Sequence, residues 1–178
     1  LLIRFLAAVL LSTVSLLPAA QTYPARTIPF LTPFPPGGGT DVSARMLAQK
    51  LAAILGVNVV VENRGGASGN IGTAQFVKLP ADGYNLLFTA QSPITIAPSL
   101  YPKLSFDPGR DLLPLAITQW TPLIVVSPKS LPADTLQELV AFSASQPGKL
   151  FYASPGTGNE LHLLGAWLRQ ELKADLTH

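Results

Sequence analysis

A run of prolines and glycines near the start of the chain separates a strand pattern from a helix pattern. Residues 28–32 are apolar and are predicted to form a short strand. Residues 33–40 cannot continue as regular strand or helix, because prolines remove backbone donors and glycines loosen the backbone. Thr40 or Asp41 can cap the helix predicted next, and Gly56 is a suitable stop. The apolar face of this helix is predicted to carry Leu47, Leu51, Ile54 and Leu55.

Strand and helix patterns then alternate along the chain. Further strands are predicted at residues 57–61 and 84–89, with a modest helix at 71–79 between them. Strands that alternate with helices indicate an α/β fold with a mostly parallel sheet and helices on its faces. Residues 90–114 are rich in Pro, Ser and Gly, which predicts loops with short helices.

A second lobe is predicted to begin near an apolar strand at residues 123–126. A helix at 135–144, a strand at 149–153 and a last helix at 160–172 are predicted to follow it. The apolar faces of these two helices are predicted to carry Leu136, Leu139 and Val140, and Leu161, Leu164 and Leu168.

The first 20 residues have the pattern of a secretory signal peptide. Arg4 is followed by an apolar run at residues 5–17 and by small residues up to position 20. The run is too short to cross a bilayer, which needs about 20 residues; a buried N-terminal helix is the alternative interpretation. Removing residues 1–20 takes away Arg4 and no acid, which leaves 11 basic against 10 acidic side chains. The sequence therefore predicts a nearly neutral exported protein.

The composition excludes several kinds of chemistry. Cysteine is absent, so disulfides and thiolate chemistry are excluded, and a cysteine-free exported chain is compatible with the periplasm. No run of Lys and Arg appears, which argues against a nucleic-acid partner. His162 and His178 lack metal-ligand spacing, and no nucleotide motif is present. Trp120 and Trp167 are predicted core residues, with ligand stacking as the alternative.

Three turns follow predicted strands, and two of them precede predicted helices. They lie at residues 36–41, 89–95 and 154–159. Open α/β sheets bind ligands at the carboxyl ends of their strands. A helix start leaves backbone N–H groups unpaired, and glycine allows close approach to them, so a carboxylate or phosphate fits there without Lys or Arg. Simple connecting turns are the alternative.

Asp41 complicates an anion site, because its charge repels a nearby anion. Two roles for its carboxylate stay open at this point. It can cap the helix by accepting hydrogen bonds from backbone N–H groups. It can instead accept a hydrogen bond from an amine or amide on the ligand.

Five ordered motifs resemble those of the Bug-type receptors, the extracytoplasmic solute-binding proteins of the tripartite tricarboxylate transporter family. The likeness runs from Tyr23 to His178. The motifs are PFPPGGGTD at 33–41, VVENR at 60–64 with GNIG at 69–72, DGY at 82–84, LYPKLSFDP at 100–108 and PGKLFYASPG at 147–156.

The resemblance implies a type II-like periplasmic binding-protein fold, with two α/β lobes that close on the ligand about a hinge. It implies a monomer in the periplasm that needs no cofactor or metal and delivers a small carboxylate to a membrane permease. The carboxylate can be a di- or tricarboxylate, an amino acid or an aromatic acid. The ligand-binding residues implied by the matching positions are Pro36, Gly37, Gly38, Gly39, Thr40, Asp41, Gln91, Ser92, Thr95, Ser154, Gly156, Thr157, Gly158 and Asn159.

The domain organisation implied is a signal peptide at 1–20, a first lobe at 21–120 and part of a second lobe at 121–178. Family members run to roughly three hundred residues, a length typical of two lobes. The second lobe is therefore expected to be incomplete, as in a truncated sequence or a non-functional remnant. An enzyme on the same fold is a further alternative, with His162 as the candidate base, although no nucleophile motif surrounds it. Pro155 is expected to stiffen the second-lobe turn.

Overall fold

A three-stranded parallel sheet organises the first part of the chain. The computed structural model describes residues 22–178, so the predicted signal peptide lies outside the described residues. The strands are β1 (Ile28–Thr32), β2 (Val59–Asn63) and β3 (Leu86–Leu87), in the spatial order β2-β1-β3. This confirms the predicted parallel sheet, with β2 displaced by two residues from its predicted position and β3 shorter than predicted.

The long helix α1 (Gly39–Leu55) connects β1 to β2. It ends as predicted at Gly56, which has a left-handed conformation and donates its N–H to the carbonyl of Ala52. The predicted start was wrong, because Gly38 is the N-cap residue and neither Thr40 nor Asp41 caps the helix. Both lie inside its first turn.

The buried face of α1 differs from the predicted leucine stripe. Ala44 and Ala48 are buried against the sheet, whereas Leu47 is half-buried and Ile54 is 79% exposed. The small alanine side chains allow the helix to lie close to the strands, and this close packing turns the larger residues to the rim. Phe30 and Phe88 complete this core cluster, with their rings edge to face at 5.6 Å.

Short helical elements follow β2 and β3 along the chain. A 3-10 turn at Ala67–Gly69 leads into α2 (Asn70–Phe76), which confirms the modest helix predicted there. The predicted short helices of the loop region are a π-helical turn at Ser92–Ile96, α3 (Ala97–Leu100) and α4 (Pro108–Asp111).

The strand predicted at 123–126 is wrong. Residues 112–128 contain no helix or strand, and Ile124 and Val126 are largely exposed. An apolar β-branched run needs a neighbouring strand for its backbone hydrogen bonds, and residues 22–178 supply none to this segment. The predicted burial of Trp120 and Trp167 is also wrong, since they are 86% and 52% exposed.

Two helices lie in the rest of the chain as predicted, α5 (Leu136–Ser145) and α6 (Glu160–Glu171). Thr135 caps α5 in a reciprocal capping box with Glu138. The strand predicted at 149–153 is reduced to a single parallel bridge between Phe151 and Thr177.

A second core cluster forms around the end of α6. It contains Leu168 together with Ala174 and Leu176. The division into lobes at residue 120 stays a prediction. Within the described range of 22–178, every helix is too short or too polar to span a membrane.

Candidate functional site

The loop between β1 and α1 is held in place by Asp41. One of its oxygens, Oδ2, accepts hydrogen bonds from the Gly37 N–H at 2.9 Å and from Arg45 Nε at 3.0 Å. The other oxygen accepts from Asn63 Nδ2 at 2.9 Å and pairs with Arg45 Nη2 at 3.0 Å. Asn63 Nδ2 also donates to the carbonyl of Phe34, so one carboxylate holds Gly37 directly and Phe34 through Asn63.

The charge of Asp41 is matched within the protein. The side chain is only 3% exposed, and the hydrogen bond from Arg45 is the main reason why the pKa of Asp41 falls from 3.8 to about 2. The Gly37 N–H and Asn63 add to this lowering of the pKa, while burial opposes it. Of the two roles left open by the sequence, helix capping was wrong, because the backbone N–H that the carboxylate accepts is that of Gly37, which precedes the N-cap residue. A hydrogen bond from an amine or amide of the ligand stays a prediction.

The three glycines of this loop serve different purposes. Gly37 has a φ of +81°, which favours glycine for backbone reasons alone. Gly38 has an ordinary φ of −75°, and a Cβ there would meet only the Pro35 carbonyl at 3.5 Å. A Cβ at Gly39 would meet no atom within 4 Å. The fold therefore does not require glycine at positions 38 and 39. Because neither residue has a side chain, a ligand can approach the first N–H groups of α1.

The segment after β3 contributes a buried hydroxyl. Ser92 is 2% exposed, and its Oγ donates to Glu160 Oε2 at 2.9 Å. Gln91 is exposed, and its carbonyl accepts a hydrogen bond from the Thr95 hydroxyl at 3.2 Å. Ser92 thus links this segment to Glu160, the residue that directly follows the turn at 154–159.

The second-lobe turn is built around the start of α6. Asn159 caps this helix, since its side-chain oxygen accepts the His162 N–H at 2.9 Å. The Ser154 hydroxyl lies 3.2 Å from the carbonyl of Gly156, and the Gly158 N–H donates to His162 Nδ1 at 3.3 Å.

This turn bonds directly to the first part of the chain. The Thr157 carbonyl accepts hydrogen bonds from Ser68 Oγ at 2.8 Å and from the Tyr101 hydroxyl at 3.2 Å. Gly158 has a φ of +85°, which favours glycine, and a Cβ there would lie 2.6 Å from the end of the Leu100 side chain. The structure therefore brings the second-lobe turn against the segments around Ser68, Ser92 and Tyr101.

The first loop reaches the same region through the turn at residues 65–69. A Cβ on Gly65 would lie 3.2 Å from the Pro35 nitrogen, and one on Gly69 would lie 3.1 Å from Phe34 and 3.3 Å from Pro93. The loop after β1 and the segment after β3 thus meet at Gly69. All fourteen predicted ligand-binding positions lie on these three turns, and their binding role stays a prediction.

Four residues around the site were missed by the sequence analysis. Asn63 had a usable signal, because it ends β2 directly opposite Thr32, and the carboxyl ends of parallel strands meet at one edge. Glu160 directly follows a predicted site residue. Ser68 and Tyr101 lack such a signal, since their partner Thr157 is 89 and 56 residues away.

The two histidines lie close together beside Ser154. The rings of His162 and His178 lie 4.6 Å apart, and His178 Nε2 is 2.8 Å from Ser154 Oγ. Across residues 22–178, no carboxylate hydrogen-bonds either histidine, so a serine–histidine pair here lacks the third group that orients the base. The same residues contain no group of three metal-ligating side chains.

Comparison with known proteins gives a consistent family. The model of the tripartite tricarboxylate transporter family receptor matches residues 43–178. The BugT protein of Bordetella pertussis is 44% identical over 147 residues, which are 82% of this chain and 45% of BugT. The chain spans about half the length of the curated relatives it matches.

Solved structures agree with this family. MatC from Rhodopseudomonas palustris, solved with bound malate, is 30% identical with a TM-score of 0.79 over 87% of this chain and 53% of its own. An R. palustris protein solved with adipate is 29% identical with a TM-score of 0.73, over 87% and 52%. The periplasmic binding protein BugD is 33% identical with a TM-score of 0.73, over 87% and 52%.

Proposed function

The chain belongs to the receptor family of the tripartite tricarboxylate transporters, and from this membership we propose that it captures a small carboxylate in the periplasm. Its α/β fold is that of periplasmic binding proteins. The proposed role is capture followed by delivery to the integral membrane permease of a tripartite tricarboxylate-type transporter. Catalysis is not part of this role, and the family relatives are solute-binding receptors.

The observation that carries the proposal is the open start of α1. Gly38 and Gly39 have no structural need to be glycine, yet a side chain at either position would stand beside the free N–H groups of the helix. A helix start presents these N–H groups together with about half a positive charge. An organic carboxylate has the opposite charge and accepts hydrogen bonds from such N–H groups.

The charges near this helix start support a backbone-based grip. Asp41 is paired with Arg45, so its negative charge repels a ligand carboxylate in the loop much less. Arg45 is in turn occupied by Asp41 and by Asn63 Oδ1. Neither side chain is then free to dominate binding, and the peptide N–H groups become the principal donors. Malate and adipate in the solved relatives fit this class of ligand.

A ligand screen tests the proposal on the protein expressed from its own gene. Thermal unfolding is followed with malate, adipate, citrate, glutamate and benzoate, and hits are titrated by calorimetry. A ligand present at 100 times its Kd stabilises the folded state by about 2.7 kcal/mol. The corresponding uncharged amides serve as controls and are expected to give no shift. Absence of stabilisation by every carboxylate at millimolar concentration would contradict the proposed function.

A further inference from the structure

A carboxylate of the protein itself lies on one of the predicted ligand-binding hydroxyls. Glu160 is the first residue of α6, and its Oε2 accepts the hydrogen bond of Ser92 across 2.9 Å. Ser92 is 2% exposed, while Glu160 is half-buried. The negative charge of Glu160 therefore points into the region where the three turns meet.

In the part of the chain that the structure describes, this charge has no ion-pair partner. The ion pairs of residues 22–178 are Arg26–Asp82, Asp41–Arg45, Glu62–Arg64 and Arg110–Asp111, and none includes Glu160. Around the turns, Asp41 is paired with an arginine, whereas Glu160 faces the Ser92 hydroxyl and the N-terminal end of its own helix. A ligand that carries only carboxylates would meet this negative charge, which only the partial positive charge of the helix start offsets, when it contacts Ser92. Like charges at close range disfavour binding, more strongly when they are shielded from water.

We propose that Glu160 makes the receptor selective for an aminocarboxylate, with the ligand carboxylate at the open start of α1 and its ammonium group directed to Glu160. An ammonium–carboxylate hydrogen bond is charge-assisted and roughly twice as strong as a neutral one. The Ser92 hydroxyl fixes the carboxylate of Glu160 in place for this contact. This inference deepens the proposed function and rests on it.

Position supports the assignment of both ligand groups to one molecule. A Cβ on Gly69 would lie 3.1 Å from Phe34, in the loop that leads to α1, and 3.3 Å from Pro93, the neighbour of Ser92. The loop before α1 and the segment that carries Ser92 therefore meet at the same turn. A small molecule with a carboxylate and an amine at separate positions has the two functional groups that these two places accept.

The test uses ligand pairs that differ only in the amine. Calorimetry compares glutamate with glutarate and aspartate with succinate, in the wild-type protein and in Glu160→Gln. Glutamine retains an oxygen that accepts the Ser92 hydrogen bond, so the contact is kept and only the charge is removed. Glu171→Gln is the matched control, because it removes the same charge from the exposed far end of α6.

The expected result is a preference of at least about tenfold for the amine-bearing member of a pair, which corresponds to about 1.4 kcal/mol. Glu160→Gln should reduce this preference to less than about threefold, while Glu171→Gln leaves it unchanged. Binding without an amine preference, or a preference that survives in Glu160→Gln, would overturn this inference alone. Glu160 would then have only the structural role of hydrogen-bonding Ser92. Failure of every carboxylate in the wider screen would overturn the proposed function as well.

Discussion

Replacing Gly39 by alanine should separate the needs of the fold from the needs of the ligand. Gly39 is the first residue of α1, and an added Cβ would meet no atom within 4 Å. Its φ lies outside the left-handed region, so alanine fits the backbone. Alanine also reduces the freedom of the unfolded chain, and we expect the variant to gain about 0.4–1 kcal/mol in free energy of unfolding.

The same methyl group should weaken the binding of carboxylates. It stands beside the N–H groups at the start of α1 and keeps a ligand oxygen from approaching them. Loss of one hydrogen bond to a charged group costs about 1.5–3 kcal/mol, which corresponds to about a tenfold to hundredfold rise in Kd. Urea unfolding measures the gain in stability, and calorimetric titration measures the loss of affinity.

Gly109→Ala is the matched control for this experiment. Gly109 lies in the first turn of α4 with an ordinary φ, and a Cβ there would meet only Asp107 Oδ1 at 3.5 Å. We expect it to leave carboxylate affinity unchanged. Unchanged affinity in Gly39→Ala would refute the argument that the start of α1 takes the ligand carboxylate. A clear loss of stability would refute the argument that this position is open.

Two further predictions concern the residues that shape the loop. The folded pKa of Asp41, about 2, lies below its ordinary 3.8, so the stability from this carboxylate is complete above about pH 4 and is lost as the pH falls toward 2. Asp41→Asn should therefore be less stable than wild type at pH 7 by urea unfolding and should approach it below pH 3; a constant difference would contradict the assignment. A Cβ on Gly72 would strike the Arg64 carbonyl and lie 2.7 Å from Pro33 Cβ. Gly72→Ala should therefore lose about 1–3 kcal/mol of unfolding free energy in the same urea measurement. Stability close to that of wild type would contradict this and show that α2 can shift away.

Local signals in the sequence were sufficient for most of the first sheet. Gly56 ends α1 as predicted, and Thr135 with Glu138 begins α5, because caps and stops depend on residues a few positions apart. The parallel sheet followed from the alternation of strands and helices. The resemblance to the receptor family also survived comparison with known proteins.

Predictions that depend on distant parts of the chain were less successful. The strand at 123–126 has the right composition, but strand formation needs a pairing partner that local sequence does not specify. Burial of Trp120 failed for the same reason, since a core position requires neighbours from elsewhere. The Ser92–Glu160 contact joins residues 68 positions apart, which no local pattern encodes.

Asp41 illustrates both the predictions that local sequence supports and those that depend on distant residues. Its two possible roles were visible in the sequence, because a carboxylate in the first turn of a helix can bond backbone N–H groups or a ligand. The bonding that the structure shows is different and involves Asn63, which lies 22 residues away and reaches Asp41 from the end of β2. Parallel pairing places Asn63 beside Thr32, and so beside the loop that Asp41 holds.

A crystal structure of the expressed protein with its preferred carboxylate bound tests the central claim most directly. The account predicts ligand carboxylate oxygens within hydrogen-bond distance, about 2.7–3.2 Å, of the backbone N–H groups at Gly39 and Thr40. Asp41 should keep its bonds to the Gly37 N–H and Arg45. A ligand carboxylate held instead by Lys or Arg side chains, with the start of α1 left in contact with solvent, would contradict it.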